Sequence, residues 1–280
     1  MNFEDLRGKN CVITGGAGVL GASIAEALGG AGINLAILDL NLEAANNLAA
    51  NISETYQVRC FGFSANVLDK GSLEQAAKEI QEKLGPIHCL INGAGGNSPT
   101  ATTKTEQIIP TDNIDWESTF YGLETDGFQK VFDLNFLGTL LPTMVFTRAM
   151  VESGKGAVIN ISSMNAFKPL TKIPAYSAAK SAINNFTEWL AVHLGKTGVR
   201  VNAIAPGFFL TNQNRFLLTE EGTGELTPRG QKIIDSTPMG KFGEPSDMNG
   251  TTLFLLSDIS AFITGIVIPV DGGYSAYGGV

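Results

Sequence analysis

The chain has little from which to build a covalent scaffold or a metal centre. Of its 280 residues three are cysteine and two are histidine. Cys11, Cys60 and Cys89 stand singly inside apolar runs, and neither they nor His88 and His193 share a metal-ligand spacing. No metal site is expected, and the thiols should be buried and reduced, as in a cytoplasmic protein. Charge is scarce too, at 16% of residues against a usual share of about 25%. What charge there is leaves a formal −8, a poor match for nucleic acid or an anionic membrane. No apolar run reaches the roughly 18–20 residues of a membrane span. Met1–Asn10 carries no apolar stretch of the kind a secretory signal needs.

Glycine and aliphatic residues are plentiful, with 33 glycines and 44% hydrophobic residues. Short apolar runs at 10–14, 33–39, 58–63, 87–92, 157–162, 200–205 and 266–270 alternate with helical patterns at 20–31, 42–56, 70–84, 128–152, 175–196 and 245–256. Runs without polar alternation suit a sheet covered on both faces. Strand–helix alternation predicts an α/β, single-domain Rossmann fold: a doubly wound parallel sheet of about seven strands with helices on both faces. No linker-like stretch divides residues 1–280. Two segments break the rhythm, an insertion at about 97–126 and a candidate substrate lid at about 208–240. Both follow strand C-termini, the edge where open parallel sheets bind ligands. Trp116, Phe120 and Tyr121 are expected to pack the insertion onto the body. His193 reads as structural within its helix, and His88 as a surface residue.

The first strand runs into Thr14-Gly15-Gly16-Ala17-Gly18-Val19-Leu20-Gly21 and then a helix. Glycines let the backbone approach a pyrophosphate, and the helix N-terminus offers unpaired N–H groups. Asp39 closes the second strand 18 residues after Gly21, placed to accept ribose hydroxyls and repel a 2′-phosphate. Leu40 follows, and the glycine loop holds no basic residue, so NAD(H) is expected over NADP(H). Further along, Tyr176 and Lys180 stand at i and i+4 on one helix face. An ammonium beside the phenol favours its ionised form and would bring it into range for proton transfer. Ser163, at the end of the 157–162 strand, could hydrogen-bond a substrate oxygen.

These motifs occur in order over nearly the whole chain, joined by Asn92-Gly93-Ala94-Gly95, Asn135-Phe136-Leu137-Gly138, Ser162-Ser163, Pro206-Gly207 with Thr211, and Ile263-Thr264-Gly265 through Val270-Asp271-Gly272-Gly273. The chain resembles the short-chain dehydrogenase/reductase family, in its Y-x-x-x-K branch. The resemblance implies that Tyr176 is the catalytic acid/base, that Lys180 lowers its pKa and holds the nicotinamide ribose, that Ser163 polarises the carbonyl, and that Asn135 anchors a water on Lys180. It implies a cofactor cleft formed by Gly15, Gly18, Val19, Leu20, Gly21, Asp39, Leu40, Asn66, Val67, Asn92, Ala94, Tyr176, Lys180, Pro206, Gly207, Phe209 and Thr211. Three departures stand out. Val19 occupies the place of the family's usual middle loop glycine, Gly93 that of an asparagine, and Asn66 that of an aspartate.

The segments 164–172 and 206–215 also resemble one subgroup, the D-mannonate oxidoreductases (fructuronate reductases). A sugar acid needs a cation for its carboxylate and polar partners for its hydroxyls. Arg215, Lys168 and Lys172 are candidate cations; Asn97, Asn165 and Asn214 are candidate hydroxyl partners, with Ser163 and Tyr176 at the carbonyl. Another sugar-acid or polyol dehydrogenase, such as one acting on gluconate at C5, is the enzymatic alternative. A dinucleotide-binding regulator without chemistry is the alternative of another class. The family resemblance further implies a homo-tetramer pairing the helices at 128–152 and 175–196, with 263–280 near an interface.

Overall fold

The computed structural model describes residues 3–110, 112–211, 215–220 and 222–279, leaving aside the Phe216 side chain; Asn214 lies outside the described residues. Seven strands, β1 (Asn10–Thr14), β2 (Asn34–Asp39), β3 (Cys60–Ser64), β4 (Cys89–Asn92), β5 (Gly156–Ile161), β6 (Val199–Pro206) and β7 (Val267–Val270), form one parallel sheet in the order β3-β2-β1-β4-β5-β6-β7. Between β1 and β4 the order reverses, which opens a crevice at the strand C-termini. Register sets what meets there. Thr14 stands opposite Leu38 and Asn92, Asn92 opposite Asn160, and Ile161 opposite Ile204. The segments after β1, β2, β4, β5 and β6 therefore leave the sheet at one edge.

Alternation along β1 feeds two cores. Cys11 and Ile13 pack with α1 (Val19–Gly30), α2 (Leu42–Tyr56) and α9 (Asn249–Leu256). Val12 packs on the other face with α3 (Lys70–Lys83), α4 (Thr125–Phe146), α5 (Arg148–Ser153) and α6 (Pro174–His193). Both faces of the central strands are thus dry, as their unbroken apolar runs require.

Boundaries shift where side chains redirect the backbone. β3 begins at Cys60 and not at 58, because Gln57 ends α2 in the left-handed region (φ 56°). β4 begins at Cys89. His88, expected at the surface, is half-buried, and its Nδ1 accepts from Asn10 N at 3.0 Å. The helix expected at 128–152 is two, α4 and α5. Pro142 removes a helical N–H, and the hydroxyls of Thr139, Thr143 and Thr147 each bond the carbonyl four residues back, a pattern that bends helices. The stretch 245–256 opens with a 3-10 turn, Pro245–Met248, before α9.

The insertion holds 3-10 turns at Pro99–Ala101, Trp116–Ser118 and Phe120–Gly122. Its aromatics do not pack on the body as expected. Trp116, Phe120 and Tyr121 are 52%, 65% and 68% exposed, and Tyr121 meets the other two edge-on at 5.3 and 5.5 Å. The insertion closes on itself, with Lys104 N and Thr105 N donating to Ser118 O, so the rings find partners in their own loop. The later segment carries α7 (Arg215–Leu218) and α8 (Pro228–Asp235). Among the described residues no helix is long and apolar enough to cross a membrane.

Candidate active site

A cleft of about 560 Å³ runs along the C-terminal edge from Asp39 and Leu40, past Gly15, Gly18, Val19, Leu20 and Gly21, to Ser163 and Tyr176. Val67, Ala94, Pro206, Gly207, Phe209 and Thr211 complete the expected lining. The floor of the turn is built by close approach. Gly15 has φ +62°, and a Cβ there would stand 2.8 Å from Ala94 Cα. Gly18 is the N-cap of α1 and offers no side-chain cap, leaving first-turn amides for a ligand. Asp39 Oδ2 accepts from Ala17 N at 3.2 Å and its Oδ1 from Asn41 N at 3.0 Å, so the carboxylate also ties the loop to the end of β2. A glycine cradle, an uncapped helix start and an acidic strand end fit the phosphates and ribose of a dinucleotide.

The expected cleft residues Asn66 and Asn92 sit elsewhere. Asn66 is exposed, and its Oδ1 accepts from Leu68 N at 3.0 Å to close its own turn; its neighbours Ala65 and Val67 face the cleft instead. Asn92 is buried beneath it, donating to Thr143 Oγ1 at 2.9 Å and Asn160 Oδ1 at 2.8 Å. Its role is to join β4 to α4 and β5, while the backbone of Gly93, Ala94 and Gly95 meets the cleft. Leu134, Ile161 and Ser162 also line it. Leu134 and Ile161 were missed because an apolar residue on a helix or at a strand end carries no chemical signal in sequence.

At the far end the reacting groups converge. Ser163 opens a 3-10 turn, Met164–Ala166, and its Oγ accepts from Asn165 N at 3.2 Å, while the same hydroxyl acts on the Tyr176 phenol. Lys180 is buried, with Nζ donating to Ile161 O at 2.7 Å and lying 5.5 Å from the Tyr176 ring centroid. Asn135 is buried too; Nδ2 donates to Gly96 O and Val131 O, both at 2.7 Å, and Oδ1 accepts from Gly96 N at 3.2 Å. A Cβ on Gly95 would lie 2.6 Å from Asn135 Oδ1 and 3.3 Å from Lys180 Nζ, so both side chains reach the same point under the cleft.

Burial is the first influence on the titration of this group. Burial pushes the Tyr176 phenol up, with the Ser163 bond pulling it partly back. Burial also pushes Lys180 down to about 7. Desolvation disfavours the charged form of both groups, the phenolate and the ammonium.

The expected substrate groups are only partly assembled. Asn165 is buried and its Oδ1 has no protein partner. Asn97 is exposed and donates to Thr102 Oγ1 at 2.9 Å within its own loop. Arg215 is exposed at the start of α7 and does not line the cleft. Lys168 Nζ bonds the Tyr277 carbonyl, pinning the C-terminal segment. His193 is exposed and stacks on Trp189 at 4.8 Å, away from the chemistry.

A doubly wound parallel sheet with a glycine turn at its switch point, and a Ser–Tyr–Lys group at the end of the same cleft, defines an α/β oxidoreductase of the dinucleotide-binding class. The chain matches the short chain dehydrogenase family over residues 9–222, and it belongs to that family, an enzyme acting on CH–OH groups. It is similar to an uncharacterised oxidoreductase of Haemophilus influenzae, 48% identical over 278 residues that cover 99% of this chain and 96% of that one. It is also similar to the uncharacterised oxidoreductase UxuB of Bacillus subtilis, 46% identical over 278 residues that cover 99% and 98% of the two chains. Among solved structures, a Haemophilus protein provisionally described as a D-mannonate oxidoreductase, with bound NAD, matches with a TM-score of 0.91 at 48% identity over 98% of each chain.

Proposed function

We propose that the protein is an NAD(H)-dependent oxidoreductase that interconverts D-fructuronate and D-mannonate. The observation that carries the chemistry is the convergence of Ser163, Tyr176 and Lys180 at one end of a cleft whose other end is Asp39. The substrate and cofactor are supported by the likeness, over 98% of each chain, to the NAD-bound protein described as a D-mannonate oxidoreductase.

The glycine turn, the α1 N-terminus and Asp39 would hold the dinucleotide, with Ala94, Pro206, Gly207 and Thr211 along its path. Bound NADH supplies the hydride. Ser163 Oγ donates a hydrogen bond to the substrate carbonyl oxygen and fixes it against Tyr176. The phenol then gives its proton to that oxygen as charge develops on it. A phenol whose pKa is raised by burial arrives protonated at neutral pH, the form that carbonyl reduction uses. Lys180 exchanges a proton near pH 7 and sits beside Asn135, so it can restore the phenol. The 208–240 segment acts as the lid over the substrate, and three free, buried thiols suit a reducing cytoplasm.

The direct test is the initial rate of NADH oxidation with D-fructuronate beside 5-ketogluconate, repeated with NADPH. A large kcat/KM preference for D-fructuronate with NADH is expected; activity on 5-ketogluconate alone would discard the substrate and keep the chemistry. We further propose a homo-tetramer, supported by exposed Met144 on α4 and by Trp189 and Val192 on α6. Light scattering that finds a monomer at micromolar concentration would overturn it.

A further inference from the structure

Beyond the reacting groups, three cations gather over one carboxylate where the insertion, the loop leading into α6 and α8 come together. Lys232 Nζ on α8 lies 2.5 Å from Glu106 Oε2 of the insertion. Thr103 N donates to the Lys172 carbonyl at 2.9 Å, which docks that loop on the insertion four residues before Tyr176. Arg229 precedes Lys232 by three residues on α8 and so shares its face. The Glu106 carboxyl is held below its usual range, first by its bond to Lys232 and by that ammonium's charge, then by Lys172 and Arg229. Asp235, one turn beyond Lys232, accepts from Gln231 Nε2 at 2.6 Å, and Glu106 is the carboxylate that Lys232 pairs with across the fold.

The cluster shares the cleft's edge of the sheet, and none of its four residues lines the cleft itself. All of its elements leave the C-terminal edge of the sheet, and the Lys232 charge also acts on the Tyr274 phenol. Tyr274 meets Phe208 edge-on at 5.2 Å, and the next residue, Phe209, lines the cleft. Of the cations expected from sequence, Lys172 belongs to this cluster, Lys168 bonds the Tyr277 carbonyl, and Arg215 is exposed at the start of α7.

We propose that Lys172, Arg229 and Lys232 form a carboxylate subsite, which takes the acid end of a linear sugar acid whose carbonyl sits at Ser163 and Tyr176. Glu106 keeps Lys232 in place until the substrate carboxylate exchanges with it. This assignment rests on the reading of Ser163 and Tyr176 as the reacting end. It restricts the substrate class to anionic polyhydroxy ketones and assigns their discrimination to two residues of α8.

The test compares D-fructuronate with D-fructose, the same ketone carrying a hydroxymethyl group in place of the carboxylate, using the parent, Arg229→Met, Lys232→Met and the double variant. The double variant should raise KM for D-fructuronate about tenfold or more, with kcat within about twofold and D-fructose kinetics unchanged. Added salt should raise KM for the parent more than for the double variant. An unchanged KM for D-fructuronate, or an equal loss on both ketones, overturns the subsite. If the parent works on another sugar-acid ketone, the same variants are read on that ketone; a KM rise there supports the subsite while the D-fructuronate reading falls. A parent that prefers D-fructose refutes the subsite and leaves the oxidoreductase chemistry standing. Should no ketone turn over, calorimetric titration of the NAD⁺-loaded protein decides. D-mannonate binding that weakens in the double variant supports the subsite; equal binding in both proteins, or no binding of D-mannonate or D-gluconate, removes it.

Discussion

Replacing Gly21 by alanine tests whether the cleft is a dinucleotide cradle built by close backbone approach. A methyl at Gly21 would stand 2.5 Å from the Gly15 carbonyl oxygen, 2.9 Å from Gly16 Cα and 3.0 Å from the Gly16 oxygen. These are main-chain atoms and have no rotamer with which to turn aside. Ordinary contact begins at 3.4 Å, so the turn must retreat by about 0.9 Å. Overpacking of this kind costs about 1–3 kcal/mol, and alanine in a helix returns about 1 kcal/mol. The melting temperature should therefore fall by only a few degrees. The larger loss is in binding, because hydrogen bonds from the turn to a pyrophosphate weaken steeply with misalignment. One such charge-assisted bond contributes about 1.5–3 kcal/mol, or about ten- to a hundredfold in Kd. Gly18→Ala meets only the Gly15 oxygen, at 3.2 Å, and should lose less; Gly96→Ala meets nothing within 4 Å and should bind as the parent does. NADH fluorescence titration beside calorimetric melting reads all three. NADH binding by Gly21→Ala at parental affinity, or damage by Gly96→Ala of equal size, would refute the reasoning.

Tyr176→Phe should cut turnover by about a hundredfold or more while the NADH Kd stays within about twofold; comparable turnover would remove Tyr176 as the acid, and lost binding would make its role structural. Because burial raises the Tyr176 phenol, carbonyl reduction should hold its rate through neutral pH, whereas alcohol oxidation, which needs the phenolate, should climb with pH; paired pH–rate profiles of the same shape would contradict this. Lys180 titrates near 7 in the folded protein, below its value in the unfolded chain, so between that pH and about 10 the unfolded chain binds a proton that the folded one lacks, and stability rises with pH. Lys180→Met should therefore gain most stability relative to the parent at pH 6–7 and lose the advantage by pH 9–10, while losing activity; a pH-independent difference in melting would sink the argument. Asp39→Asn keeps an acceptor for only one of Ala17 N and Asn41 N and removes the charge that opposes a 2′-phosphate, so the NADH-over-NADPH ratio of kcat/KM should fall about tenfold or more; an unchanged ratio would place cofactor choice elsewhere.

Much of the fold was legible because it depends on local patterning. Seven apolar runs became seven strands, and the alternation of strand and helix admits few arrangements other than a doubly wound sheet. The glycine turn, Asp39, Ser163, Tyr176 and Lys180 could be placed because each sits at the end of a strand or the start of a helix, where position along the chain fixes position at the sheet edge. Asn66 and Asn92 show the limit. An amide beside a cleft can face the ligand, close its own turn or tie two elements together, and only the neighbours brought by other segments decide which.

Sequence by itself determined the sheet, its ligand-binding edge and the order of the reacting residues, since hydrophobic period and helical spacing act over a few residues. Tertiary structure alone decided that Lys180 is buried deeply enough for its ammonium to be pushed down to about 7, and that Tyr121 packs on Trp116 and Phe120. It also decided that Lys232 meets Glu106 across more than a hundred residues of chain. Desolvation and charge pairing depend on which surfaces the folded chain closes together, and no window of sequence contains both sides of such a contact.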